Sequence, residues 1–308
     1  MTNACRVHVP ATSANLGVGF DTFGLALNLW NTFHLKRLPE GDAPSLHTLE
    51  GSAFSIGPKL GRDAVGGNIF FQALAFYYEH IKRPLPAYEV GALIQIPVAR
   101  GLGSSATAVV AALMGANALE EHPLDDDALL KLAIAFEGHP DNVAPAMKGG
   151  CVFGDGVHIY PLKWASTWQL AVWMPEDPLL TEVARHVLPQ AYERADVVTA
   201  IRNASAFLYA VEQGRSDVLR RVLEQDVIHE PYRKTLIEGF DAFRAYIHAK
   251  TEALGVVISG SGSTCLVIFE DTHQARVMQA LHQWQHQWGG TVAHTPIELQ
   301  GAKVELVL

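Results

Sequence analysis

The stretch Pro97-Val98-Ala99-Arg100-Gly101-Leu102-Gly103-Ser104-Ser105-Ala106-Thr107 joins a predicted strand, Tyr88 to Ile96, to an Ala/Val-rich helical run from Ala106 to about Leu119. Gly101 and Gly103 permit backbone angles closed to other residues and let a ligand approach the main chain. The first turn of the following helix presents unpaired N–H groups and the positive end of its dipole. Together these make an anion site, for which phosphate is the usual guest. The string lacks the Gly-x-x-x-x-Gly-Lys-[Ser/Thr] of a P-loop, and its glycine spacing differs from the dinucleotide fingerprint. It points to a nucleotide-using enzyme.

The rest of the composition fits that reading. The 308 residues are 49% hydrophobic and 18% charged, which suits two domains of roughly 150 residues. The net charge of -9 and pI near 5.8 disfavour nucleic acid, whose duplex needs clustered Lys and Arg. Phosphate held by backbone amides needs no such excess. Cys5, Cys151 and Cys265 are far apart and odd in number, so they read as free thiols in a reducing compartment. The N-terminus lacks a basic-then-apolar signal, and no apolar run approaches the ~20 residues that span a bilayer. The expectation is a soluble, cytoplasmic protein with no membrane or nucleic-acid partner.

Along the chain, Arg6 to Pro10 alternates like a strand, and Ala11 to Asp21 reads as a ligand-facing loop. Leu25 to Leu35 returns to strand character, and Pro39 to Arg62 reads as hairpins and loops. Asn68 is a plausible N-cap for a helix over Ile69 to Ile81, and Asp125-Asp126-Asp127 caps Ala128 to Phe136. Prolines and glycines make Glu137 to Gly150 a structured loop, and Val152 to Leu162 supplies further strands. The second half offers strand Gln169–Met174, several helices to about Lys250, strand Val256–Ser259, and the turn Gly260-Ser261-Gly262-Ser263. Strand Thr264–Phe269, helix His273–Trp288 and strand Thr291–Thr295 follow. The order is β-α-β-β-α-β, a ferredoxin-like pattern.

The string Pro-x-x-x-Gly-Leu-Gly-Ser-Ser-Ala resembles the phosphate loop of the GHMP kinase superfamily. Two further segments, Pro10-Ala-Thr-Ser-Ala-Asn-Leu-Gly-Val-Gly-Phe-Asp21 and Ser259-Gly-Ser-Gly-Ser-Thr264, resemble its other motifs in the same order. Most relatives carry Pro-Gly-Lys in the first motif. Here Pro10-Ala11-Thr12, together with His139-Pro-Asp-Asn-Val-Ala-Pro-Ala146, resembles the homoserine kinase branch. The resemblance implies an α+β, two-domain GHMP kinase fold. Residues 1–165 would form an ATP-binding domain like domain 2 of ribosomal protein S5, and 166–308 a ferredoxin-like domain contributing substrate arginines. It also implies ATP and Mg2+, L-homoserine as substrate, and a homodimer.

Phosphoryl transfer asks a protein mostly for positioning and charge stabilisation. The N–H groups of Gly101 to Ala106, within the stretch 97–107, would hold the phosphates. By resemblance Ser105 and Glu137 would hold the Mg2+, against plainer readings as a helix cap and a solvated helix end. An amino-acid substrate needs an acid for its ammonium and cations for its carboxylate. Asp21 and Asp141 are the candidate acids, and Arg185 and Arg233 the candidate forks, against surface arginines as the plainer reading. Asn142 would orient the reacting hydroxyl, with Asn15 in the opposite wall. Many relatives place an Asp base where this branch has that Asn, and Thr12 stands at the usual Lys position. Catalysis would then rest on alignment, with the γ-phosphate taking the proton. His139 reads as a structural loop histidine rather than a base or metal ligand, and Asn68 as an adenine-pocket candidate. Two rivals remain, another GHMP kinase acting on a related small alcohol and a non-catalytic binding protein on the same scaffold.

Overall fold

The computed structural model describes residues 3–54, 67–120 and 124–307. Two long antiparallel strands organise the first half, β1 (Ala4–Ala14) and β2 (Phe23–Arg37). Pro10 sits inside β1 because the β1–β2 register shifts between Pro10 and Ala11; a ladder irregularity is where a strand tolerates a residue with no N–H. The pairing continues to Ala14, so the segment expected to loop from Ala11 is strand for its first four residues. Small side chains had the look of a loop, but they are buried and pair with Gly24 to Leu27.

The chain then forms β3 (Ser45–Thr48), α1 (Ile69–His80) and β4 (Tyr88–Leu93). Asn68 caps α1 as expected, its side-chain oxygen accepting from the Phe70 N–H at 2.9 Å. Part of the expected 39–62 loop region (55–62) lies outside the described residues. Helix α2 (Ser104–Leu119) runs through the first core. Its Val109, Val110, Ala111, Ala112, Leu113 and Ala116 are all buried, as expected of a helix that is apolar all round. It starts two residues earlier than the sequence suggests, which puts Ser104 and Ser105 in its first turn.

Helix α3 (Asp126–Glu137), capped by Asp125, is followed by α4 (Pro140–Lys148). The latter replaces the loop expected over Glu137 to Gly150. Pro140 occupies the first helical position, where a missing N–H costs nothing, and the short helix accommodates Pro145. Strands β5 (Cys151–Gly154) and β6 (Ile159–Leu162) close this half.

The second half begins with β7 (Trp168–Met174). Helices α5 (Thr181–His186), α6 (Arg194–Gln213), α7 (Ser216–Val222), α8 (Glu230–Arg233) and α9 (Phe240–Lys250) follow. After them come β8 (Gly255–Ile258), β9 (Cys265–Glu270), α10 (Gln274–Trp288), β10 (Thr291–His294) and β11 (Lys303–Val307). The second sheet has the order β10-β7-β9-β8, as the expected ferredoxin-like pattern requires. Strands β7, β8 and β9 are buried on both faces, while the edge strand β10 is only partly covered. Leu170 and Val172 turn toward α6 and the first domain, while Ala171 and Trp173 turn toward α9 and α10. That explains their continuous apolar reading.

The last strand, β11, does not stay with this sheet. It pairs antiparallel with β1, from Ala4 against Val307 to His8 against Lys303, giving the first sheet the order β11-β1-β2-β4-β3. Among the described residues no helix is long and apolar enough to cross a membrane.

The two halves meet where the phosphate-type loop touches the 260–263 turn. A Cβ on Gly101, at φ +73°, would lie 2.1 Å from the Ser259 carbonyl oxygen and 2.7 Å from the Gly262 nitrogen. Gly101→Ala therefore combines left-handed strain with overpacking against backbone. It should cost about 2–4 kcal/mol of stability, read as the shift in a urea unfolding curve.

Candidate active site

The 97–107 loop is held by its carbonyls. Ala99 O accepts from Leu179 N, Arg100 O from Thr264 N, Gly101 O from Ser259 Oγ, Leu102 O from Thr12 N, and Gly103 O from Thr107 N. The N–H groups of Gly101 through Ala106, by contrast, have no acceptor among the described residues. With these oxygens engaged elsewhere, Gly101, Gly103, Ser104, Ser105 and Ala106 line a cavity of about 580 Å3 at the start of α2. Fixed, unpaired donors at a helix entrance bind anions without needing a cationic side chain.

Next to the cradle stands a polar wall. A Cβ on Gly103 would collide with Thr12 Oγ1 at 2.0 Å, so the Thr12 side chain packs directly against the loop. The Thr12 hydroxyl donates to Asn142 Oδ1 at 2.8 Å, which fixes the amide with its NH2 end free apart from a 3.4 Å contact to Asp141. Asp141, buried in the first turn of α4, accepts from His139 Nδ1 at 2.6 Å. Burial opposes the charged imidazole there, but the bond and charge of Asp141 outweigh it and raise the His139 pKa.

Ser105 and Glu137 line the same cavity. Neither side chain has a hydrogen bond or ion pair among the described residues. Burial pushes the Glu137 pKa up, partly offset by the charge of His139. An unpartnered carboxylate and an unpartnered hydroxyl facing phosphate-binding amides suit a small hard cation, which takes few protein oxygens.

The opposite wall carries charged side chains of both signs. Asn15 is almost fully buried and already committed. Its Oδ1 accepts from Asp21 N at 3.0 Å and its Nδ2 donates to Gly260 O at 2.8 Å. That bond holds Asp21 at φ +54°, from where its carboxylate takes the Arg185 fork at 3.0 and 3.2 Å. Arg233 is buried, donating from Nε to Ala184 O and from Nη1 to Gly260 O, both at 3.1 Å. It has no carboxylate partner among the described residues. Burial first, and the like charge of Arg185 second, lower its pKa. One carbonyl, that of Gly260, thus ties Asn15 and Arg233 to the turn that braces the phosphate-type loop.

The cavity lining includes Asn15, Asp21, Asn68, Val98, Ala99, Arg100, Gly101, Gly103, Ser104, Ser105, Ala106, Glu137, Asp141, Asn142, Arg185 and Arg233. Of the loop residues named from the sequence, Leu102 turns into the core. Thr107 is occupied by Asn31 Nδ2 and Ser104 O, and Pro97 is outside the lining. At the far end the wall is apolar, with Phe33, Leu46, Phe70 and Ile94; the sequence reading named none of these. It also passed over Asn31, a fully buried amide that accepts from Gln95 N and Ile96 N and so fixes the strand leading into the loop. Asn31 shares its strand with Asn28, and only its complete burial sets it apart.

Free loop amides sharing one cavity with Asp21, Arg185 and Arg233 suit a small-molecule kinase, whose protein supplies mainly positioning and charge. The family profile described as "GHMP kinases N terminal domain" matches residues 68–150, and "GHMP kinases C terminal" matches 207–287. The chain belongs to the GHMP kinases, and within them to the homoserine kinase family. The homoserine kinase of Nostoc punctiforme is 38% identical over 98% of this chain and 99% of its own. That of Synechocystis sp. is 37% identical, covering 97% of each. The crystal structure of homoserine kinase from Cytophaga hutchinsonii superposes with a TM-score of 0.85 at 26% identity, over 99% of this chain and 98% of that one. A mevalonate diphosphate decarboxylase from Staphylococcus aureus shares the fold, with a TM-score of 0.74 at 12% identity.

The raised pKa of Glu137 carries a stability consequence. Above the ordinary carboxyl value of 4.5, the folded chain holds this proton more tightly than the unfolded one, so stability is lost as pH rises toward the folded value. Glu137→Gln should therefore raise the melting temperature near pH 8 in chelator-treated buffer, and the gain should vanish below pH 4. Melting curves of both proteins across that range check it.

Proposed function

We propose that this chain transfers the γ-phosphoryl group of ATP to the side-chain hydroxyl of L-homoserine, giving O-phospho-L-homoserine and ADP, a step of threonine biosynthesis. One observation carries the reading: Gly101, Gly103, Ser104, Ser105 and Ala106, whose amides have no acceptor among the described residues, share a single cavity with the Asp21–Arg185 pair and with a buried Arg233 that has no carboxylate partner among those residues.

In this reading the amides of Gly101 to Ala106 hold the phosphates, and the apolar end around Phe33, Phe70 and Asn68 takes the adenine. Arg233 and Arg185 take the substrate carboxylate, while Asp21 and Asp141 face its ammonium. Asn142, its oxygen pinned by Thr12, presents its NH2 group to the reacting hydroxyl. An amide cannot accept a proton at neutral pH. The hydroxyl oxygen attacks phosphorus as the bond to ADP breaks, and the proton passes to a phosphoryl oxygen. Mg2+, held by Ser105 and Glu137, would neutralise phosphate charge. We also read the protein as a cytoplasmic homodimer, on family resemblance.

The test is ATP consumption against homoserine, serine, threonine, mevalonate and galactose. Strong turnover with homoserine alone is expected, and preference for mevalonate or galactose would overturn the substrate assignment. Arg233→Ala should raise the homoserine KM about 10- to 150-fold, the equivalent of a charged hydrogen bond, with the ATP KM nearly unchanged. Steady-state kinetics in both substrates measures this.

A further inference from the structure

We propose that Phe20 is a positioning residue that sets the preference for a carboxylate-bearing substrate, by serving as a common platform for the two guanidinium groups of Arg185 and Arg233. The inference rests on the homoserine reading of the cavity and adds a residue to it that does not line the cavity.

Arg233 Cζ lies 5.1 Å from the Phe20 ring centroid and Arg185 Cζ lies 5.9 Å from it. His229 stacks on the same ring, with centroids 5.4 Å apart and planes inclined by 25°. That imidazole is fully buried and anchored, its Nε2–H donating to Gly17 O at 2.8 Å and its backbone N–H to Asp226 Oδ2 at 2.8 Å. Burial lowers its pKa, so it presents a neutral ring. Phe20 is therefore fixed both by its place beside Asp21 and by a rigid partner from α8's N-terminal side.

The two guanidiniums repel one another. Asp21 pairs directly with Arg185, whereas Arg233 has no carboxylate in contact among the described residues and feels Asp21, Asp141 and Asp226 only as more distant charges. A protein carboxylate in contact with it would compete with the ligand's carboxylate for the same N–H groups. The negative face of an aromatic ring stabilises a guanidinium without consuming any of its donors. Arg233 spends Nε and Nη1 on carbonyls, and its Nη2 has no partner among the described residues. An aromatic platform keeps that donor available and holds both planes in place before the substrate arrives, which lowers the ordering cost of binding.

The test compares wild type, Phe20→Leu, Phe20→Met and Phe20→Tyr, with L-homoserine and with 3-amino-1-propanol, which has the ammonium and hydroxyl but no carboxylate. Phe20→Leu and Phe20→Met should raise the homoserine KM roughly 5- to 20-fold, with kcat and the ATP KM within about twofold. The preference for homoserine over the aminoalcohol should fall by the same factor, and Phe20→Tyr should restore both. The ATP KM serves as the control for an intact fold. A wild-type chain that turns over homoserine while the aliphatic variants keep its KM and preference would overturn the role of Phe20 alone. Equal losses with homoserine and the aminoalcohol, or no rescue by tyrosine, would do the same. A wild-type chain inactive on homoserine would overturn the functional reading and this proposal with it.

Discussion

Everything at this site depends on where five backbone carbonyls point. A loop that turns its N–H groups toward a cavity leaves its carbonyls pointing into the protein, and each buried carbonyl needs a donor of its own. From Ala99 to Gly103, strand β1, the 259–264 turn, Leu179 and helix α2 itself supply those donors. Three of those acceptors are met by residues of the second half of the chain. The anion cradle is thus no property of its glycines alone. It exists because the ferredoxin-like domain presses a turn against it, and glycine is required at 101 to let two backbones come that close.

The same turn couples the two substrates' walls. Gly260 donates its N–H to Ala14 O and accepts from Asn15 and Arg233, while Ser259 Oγ reaches Gly101 O at 2.7 Å. The guanidinium side is therefore linked to the 97–107 loop by a short path, from Gly260 to its neighbour Ser259 and through the Ser259 hydroxyl to Gly101 O. Charge is arranged in a complementary way. The cations are supplied by α5 and α8, while the carboxylates of Asp21, Asp141 and Glu137 come from first-half segments.

The sequence made legible whatever is enforced locally. Glycines at 101 and 103 announce left-handed backbone, Asn68 and Asp125 announce helix starts, and the doubly buried strands of the second sheet announce themselves as unbroken apolar runs. Features decided by distant partners were not legible. Residues 11–14 look like a loop until their pairing with β2 is known, and Pro140 looks like a breaker until it is found at a helix's first position. The Asp21–Arg185 fork joins residues far apart in the chain, and the stacking of Phe20 with His229 and Arg233 leaves no periodic trace. Thr12 was legible as a departure from lysine, but its bond to Asn142, far away in the chain, was not.

The return of β11 to the first sheet bears on how the molecule is made. Until residues 303–307 leave the ribosome, β1 presents an open edge to solvent, and such an edge invites pairing with other chains. The amino-terminal layer therefore cannot finish its own sheet ahead of the carboxy-terminal layer. The two halves, distinct in architecture, mature as a single unit, with the last strand acting as the clasp.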